Sequence, residues 1–314
     1  MRQIWVLHNT LAGRPGSATK VERAAEALAR RGLNVRLERA PTVAGLRQAA
    51  RAAVAEDADA ALVAGGDGSL GLVAAELAGS PVALGFLPTG TANVWAKEIG
   101  LPAQTGRPDA LERAALLLLD GRVRLADLGR CNGHHFLLWA GVGLDAFVMH
   151  RLAARRQLSR QWGFWYNVAA TFNISRDWRG AEMRVAVNEQ EAAGHYLLAV
   201  VSNVRWHGGG LFRMSPQAQL DDGQMDLWLF AGRTYAEALA HTARVFAGRH
   251  HRHPAVRRLT GNNMEIYTPA PQAFQADGEP FAPTERLSIQ VVPQALRVLV
   301  PAQAPPGLFR DVPS

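Results

Sequence analysis

The run Ala64-Gly65-Gly66-Asp67-Gly68-Ser69 constrains this chain more than any other segment. An apolar stretch, Ala60 to Val63, leads into it, and a helix-forming stretch, Leu70 to Leu77, leads out. Three glycines and an aspartate therefore stand where a buried strand turns into a helix. Glycine admits the tight turn, and the first amides of the helix point outward, so the backbone there wraps a phosphate. Taken alone, such a run also marks an ordinary turn. A second block, Gly85-Phe86-Leu87-Pro88-Thr89-Gly90-Thr91-Ala92-Asn93, ends the next apolar stretch. Thr89 and Thr91 either donate to phosphate oxygens or cap the helix that follows. Two such turns at neighbouring strand ends point to a nucleotide. There is no Gly-x-x-x-x-Gly-Lys-Ser/Thr, so the site is not a P-loop. No Gly-x-Gly-x-x-Gly follows the first strand either, against an ordinary dinucleotide fold.

Strand and helix signals alternate through the first part of the chain. Strands are predicted over Ile4–Leu7, Asn34–Glu38, Ala60–Ala64 and Val82–Leu87. Helices are predicted over Ser17–Arg31, Val43–Ala55, the stretch reaching Ala78, Ala92–Ile99 and Asp109–Asp120. This rhythm implies a Rossmann-like parallel sheet with helices on both faces, with ligands at the carboxyl ends of its strands. After Arg122 strand follows strand: Val123–Gly129, Phe136–Ala140, Glu182–Val187, Tyr196–Asn203, Met225–Phe230, Met264–Thr268, Leu287–Val292 and Leu296–Val300. Helical stretches near Leu144–Asn173 and Tyr235–Ala247 interrupt them. The expected architecture is α/β plus all-β. An α/β nucleotide domain spans 1–122, an antiparallel β-sandwich spans 123–300 and an irregular proline-rich tail spans 301–314, with a nucleotide cleft between the domains.

The 314 residues carry 34 basic against 27 acidic side chains, a net charge of +7. Biased codon use accounts for such an excess, and so does attraction to an anionic membrane surface. Cys131 is the only cysteine, which excludes an intrachain disulfide or thiolate cluster and fits a reducing cytoplasm. The apolar start reaches His8-Asn9 too soon for a signal peptide, and nowhere do eighteen apolar residues run together. Any membrane contact is therefore expected to be peripheral, and no nucleic-acid partner is expected. A homodimer is left open.

Gly65–Ser69 and Gly85–Ala96 together resemble the diacylglycerol kinase catalytic domain family, which includes bacterial lipid kinases, sphingosine kinases and ceramide kinases. Asn203 with Gly208–Gly210, Ser215–Asp226 and the turn Ala276-Asp277-Gly278-Glu279-Pro280 extend the resemblance in order along the chain. It implies an ATP-dependent kinase acting on a lipid hydroxyl such as that of diacylglycerol. Asn9 and Gly13 match the first nucleotide loop, Gly65, Gly66, Asp67, Gly68 and Ser69 the second, and Thr89, Gly90, Thr91 and Asn93 the third. Asp67 is also counted with the catalytic residues. Asp222 matches a Mg2+-binding aspartate, assisted by backbone carbonyls at Gln219 and Gln224. Glu279 matches a general base, with Asp277 in the same turn as the alternative. Asp221-Asp222-Gly223 and Asp277-Gly278-Glu279 are equally hairpin turns on their own chemistry.

The chain departs from the family pattern in places. Thr10 replaces a proline, and Ser69 replaces a threonine while keeping its hydroxyl. Gly71-Leu72-Val73 stands where relatives carry Asn-Glu-Val, with Glu76 one helical turn later as a substitute carboxylate. Val94-Trp95 replaces Asp-Phe or Asp-Leu. Arg151, Arg155, Arg156 and Arg160 ahead of Trp162, Phe164, Trp165 and Tyr166 read either as a membrane-facing segment or as a solvated helix before core aromatics. Arg249 to His253 reads as a solvated loop or as a contact for a metal or anionic headgroups, and His8, Trp206 and His207 as cleft-lining residues without a fixed role. Two alternatives stand beside the lipid kinase: an NAD kinase-like enzyme on a soluble substrate, and a non-catalytic lipid- or nucleotide-binding regulator.

Overall fold

The apolar run Ile4 to Leu7 lies in the middle of a parallel sheet. In the computed structural model, which describes residues 1–11, 16–102, 107–153 and 173–310, β1 (Gln3–Asn9) pairs in parallel with β2 (Asn34–Ala40) and β3 (Ala60–Gly65). Beyond β3 lies β4 (Ala83–Pro88), also parallel, with Gly65 level with Pro88. β3 and β4 are buried along their whole length, and β1 nearly so, as continuous apolar strands covered on both faces must be. Between them run α1 (Ser17–Arg30), α2 (Val43–Ala55), α3 (Asp67–Leu77), α4 (Val94–Glu98) and α5 (Ala110–Leu119). α1 packs with α5, and α2 with α3. α1 buries Val21, Ala24, Ala25 and Leu28, the spacing of one helix face. The Thr42 hydroxyl accepts the Gly45 amide at 3.0 Å and caps α2. α4 starts at Val94 rather than Ala92, because Asn93 is left-handed at φ 50.

From β6 (His134–Phe136) to β14 (Asn263–Ala276) the strands pair antiparallel with their neighbours. β6 pairs with the end of β5 (Arg122–Cys131). β7 (Trp139–Gly143) precedes α6 (Leu144–Ala153), then β8 (Ala181–Val187) and β9 (Gln190–Ser202). A small ladder joins β10 (Trp206–His207) to β11 (Phe212–Arg213). β12 (Met225–Ala231), α7 (Tyr235–Phe246), β13 (Val256–Gly261), β14 (Asn263–Ala276) and the long β15 (Glu279–Val300) complete the chain. β9 and β14 each pair with β8 along one stretch and with β7 along another. Alternation along β9 and β12 builds two cores. Val201, Leu227 and Leu229 join one with Val185, Ile266 and Phe274. Val200, Trp228 and Phe230 face the other, which Met214 and Val245 of α7 close. The expected strand Phe136–Ala140 is split in two, because the amides of Leu137, Leu138 and Trp139 donate to the Asp277 carboxylate instead of a ladder. Of the expected helix Leu144–Asn173, α6 is seen as far as Ala153, and 154–172 lie outside the described residues.

The chain divides into two compact units. One holds Met1–Leu128, Gln219–Asp222 and Val292–Ser314; the other holds Gly129–Ala218 and Gly223–Val291. This differs from the boundaries at 122 and 300 read from the sequence. The reason lies in β15, whose last residues serve the first unit: Val298 pairs in parallel with Leu84, and Leu296, Val298, Leu299 and Val300 are buried. No helix or strand occurs between 301 and 310, yet Leu308 and Phe309 are buried and the Leu308 carbonyl accepts the Leu220 amide at 2.9 Å. Among the described residues, no helix is long and apolar enough to cross a membrane. Trp228 is fully enclosed and its indole donates to the Ser215 hydroxyl at 2.7 Å. Trp228→Ala is expected to cost about 3–5 kcal/mol of stability. Urea unfolding would measure this, and a loss well under ~1 kcal/mol would contradict the packing described.

Candidate functional site

Two glycine turns meet at the carboxyl ends of β3 and β4. The Gly65 carbonyl accepts the amides of Thr89 and Gly90 at 2.8 and 3.1 Å. A Cβ on Gly90 would stand 2.7 Å from the Gly66 Cα and 2.9 Å from Asn93 Oδ1, so nothing larger than glycine fits there. A Cβ on Gly65 would meet the Ser69 side chain at 2.6 Å. Gly68, by contrast, has open space beside it, with nothing within 4 Å of the place a Cβ would take. Asn9, at the end of β1, donates to the Ser69 hydroxyl at 2.8 Å and accepts the Leu11 amide at 3.0 Å. The Ser69 proton is left to donate elsewhere. Thr89 Oγ1 and Asn93 Oδ1 are buried without a hydrogen-bond partner, and so are both ring nitrogens of His8. Thr91 is exposed. Buried polar atoms without partners are uncommon and are open to a ligand or water. The N-terminus of α3, open space at Gly68 and the unpartnered Thr89 hydroxyl fit a phosphate group. Gly13 lies outside the described residues.

Asp67 holds the two turns together. Its carboxylate accepts the amides of Val94 and Trp95 at 2.9 and 3.1 Å, clasping the start of α4 to the start of α3. Burial raises its pKa, while these amide bonds pull the other way. A carboxylate held so clasps the two turns together, with lone pairs beyond the two these amides take. Glu76 does not stand in for the carboxylate absent at Leu72. It is ion-paired to Arg47 at 2.6 Å and Arg51 at 2.7 Å.

The expected metal turn is built around arginines. The Asp221 carboxylate accepts Arg124 at 3.4 Å and the Arg310 amide at 2.7 Å, and the Arg310 guanidinium donates to the Asp222 carbonyl at 2.6 Å. Gln219 and Asp222 group with the first unit and Gln224 with the second. No group of three or more His, Cys, Asp or Glu that could hold a metal occurs among the described residues.

In the second unit, Asp277 and Gly278 join β14 to β15. Their φ values of 48 and 80 and the pairing of Ala276 with Glu279 make a two-residue hairpin turn. Asp277 accepts three amides, from Leu137, Leu138 and Trp139, at 2.7, 2.8 and 3.2 Å. This anchors the turn and makes Asp277 the weaker candidate base; Glu279 follows it, partly exposed. Asn203 supports the same segment, donating to the Leu137 carbonyl at 2.8 Å.

Sequence reasoning missed a relay behind this turn. The Gln275 side chain accepts the Gly278 amide at 2.9 Å and donates to Asp145 at 2.8 Å. Burial pushes the Asp145 carboxyl up to about 6, against the bonds from Gln275 and the Ala146 amide. A Cβ on Gly141 would sit 2.8 Å from an Asp145 oxygen, so glycine there makes room for the carboxylate. A lone carboxylate in the apolar stretch Trp139 to Val148 was the available signal. Buried His207 lies 4.5 Å, ring to ring, from Trp139, and burial drives its pKa down to about 3.

Residues 3–131 match the diacylglycerol kinase catalytic domain, and residues 139–300 match the YegS C-terminal NAD kinase beta sandwich-like domain. A diacylglycerol kinase of Mycobacterium tuberculosis is 32% identical over 95% of each chain. The chain belongs to the diacylglycerol kinase family. A probable lipid kinase YegS-like protein of Pseudomonas aeruginosa is 31% identical over 81% of this chain and 80% of its own. The fold is shared with a crystal structure of a diacylglycerol kinase from Bacillus anthracis, at a TM-score of 0.71 and 16% identity over 98% of each chain. Family membership makes the protein a lipid kinase, a phosphotransferase with an alcohol acceptor.

Two outcomes follow from the geometry. Asp67→Ala should lower the unfolding free energy by about 1–3 kcal/mol, since it strands two amides; unchanged stability would show that the clasp does not hold α4. His207 is neutral when folded, with a pKa near 3 against 6.5 as the ordinary value. Its contribution is complete above 6.5 and is lost as pH falls from there toward 3, because the unfolded chain takes up the proton first. Unfolding midpoints of His207→Phe should therefore fall less steeply over that window than those of the parent. Equal slopes would remove His207 as the cause.

Proposed function

We propose that the chain transfers the γ-phosphate of ATP to a hydroxyl of a membrane lipid, of the diacylglycerol class. The observation that carries this is the glycine-only contact of Gly66 with Gly90 beside the open space at Gly68 and the partnerless Thr89 hydroxyl. The first amides of α3 and the hydroxyls of Thr89, Thr91 and Ser69 hold the phosphates. ATP supplies the transferable phosphoryl group, and Mg2+ belongs to this proposal as the counter-ion the phosphates bring. Glu279 takes the proton of the attacking lipid hydroxyl, as a carboxylate at a turn does in general-base catalysis. Asp277, with Gln275 and Asp145, positions that turn. Phosphoryl transfer asks little more of a protein than positioning and charge neutralisation.

Radiolabel transfer from ATP to mixed lipid vesicles tests the proposal. Glu279→Gln should lower kcat by about 10²–10⁴ with nucleotide affinity unchanged. Labelled product only with NAD would favour the soluble-substrate alternative. Nucleotide binding without product on any lipid would favour a regulator, the reading that Leu72 in place of a carboxylate motivates.

A further inference from the structure

The solvent side of α7 is apolar. Ala236, Leu239, Ala243 and Phe246 are all exposed and follow one another at intervals of three and four residues, so they form a single stripe. The opposite side, Ala238, His241 and Val245, is buried on the sheet. A surface helix ordinarily turns charge to water on its outer face. Phe246 is 54% exposed and Leu239 38%. The Phe246 ring rests on Phe212 at 5.1 Å, which brings the neighbours of Phe212 to the same end of the helix. One of them, Leu211, is 50% exposed after the left-handed glycines Gly208, Gly209 and Gly210. The other, Arg213, is exposed and lies over Trp206.

The chain segments flanking the stripe are predominantly basic, although Arg258 is ion-paired to Asp226 at 2.9 Å. From Ala238 to Arg258 the chain has five arginines and no aspartate or glutamate, and from Asn203 to Leu220 two arginines and again no acid. Glu237 sits at the far end of α7, held by the Thr234 capping box. An apolar stripe inside a basic rim fits an anionic phospholipid surface, where side chains enter the interface and arginines meet phosphates. It fits a second copy of this chain poorly, since a two-fold contact through the stripe would set arginine rim against arginine rim.

We infer that the outer face of α7, with Leu211 and the arginines around it, docks the protein on anionic bilayers. The inference names a partner for the lipid kinase proposed above and rests on that proposal for its purpose. The test reads binding alone. The full chain would be sedimented with phosphatidylcholine vesicles, with and without phosphatidylglycerol, at low and high salt. Binding should require phosphatidylglycerol and weaken with salt. Arg213→Gln, Arg244→Gln and Arg249→Gln together should weaken it by roughly fivefold per arginine and flatten the salt dependence. Leu239→Ser with Phe246→Ser should weaken binding by at least roughly tenfold while leaving thermal unfolding near that of the parent.

Equal binding to both vesicles would overturn the inference, as would unchanged binding of either variant set. So would a parent dimer, seen by light scattering, that the serine variant dissociates while no vesicle binds. Vesicle binding without phosphoryl transfer to any lipid would support the docking face and remove the kinase proposal. Transfer to lipid in detergent without vesicle binding would remove the docking face alone.

Discussion

The close approach of Gly66 and Gly90 is the contact on which the first unit's site depends. The parallel register that sets Gly65 level with Pro88 brings the two turns side by side, and the absence of side chains lets them touch. Once they touch, Thr89 and Gly90 can reach the Gly65 carbonyl, and Asp67 can reach across to α4. The direction of the amides at the start of α3 is then fixed by the sheet, not by loop flexibility. Amides held by the sheet have no rotamers to order when a ligand arrives, which keeps their share of the entropic cost of binding low.

Two of the three Asp-Gly pairs singled out for their chemistry, Asp67-Gly68 and Asp277-Gly278, use the aspartate as a staple. Asp67 holds two amides of another loop and Asp277 holds three. In each case the carboxylate turns inward and the glycine beside it is left at the surface of the turn. An acidic residue in a glycine turn is therefore as good a sign of a loop that must be held still as of one that reacts. Asp145 extends the same logic, since it reaches the β14–β15 turn only through Gln275.

Much of the fold was legible because its strands are fully buried or strictly alternating. Ile4 to Leu7 and Ala60 to Ala64 are continuous apolar runs, and Glu182 to Val187 alternates. The limits came where a tertiary partner decides. Phe136 to Ala140 reads as one strand, yet Asp277, far along the chain, takes the amides in its middle. Leu287–Val292 and Leu296–Val300 read as two strands of one domain. They are a single strand, and its two parts serve different units, because Val298 finds its partner in Leu84. Asp145 carried no pattern beyond its isolation among apolar residues, and its role follows from contacts that sequence spacing does not encode.

The shared use of β15 has a consequence for the order in which the chain takes shape. β4 belongs to the first unit, but the strand that covers its outer edge lies near the other end of the sequence, around Val298. On the ribosome, where domains tend to fold as they emerge, the first unit's sheet is left one strand short while the whole second unit is made. Throughout that interval the β4 backbone presents an unpaired edge, with the apolar Ala83 to Pro88 behind it. Synthesis of the last strand is thus the event that seals the first unit against pairing with other chains.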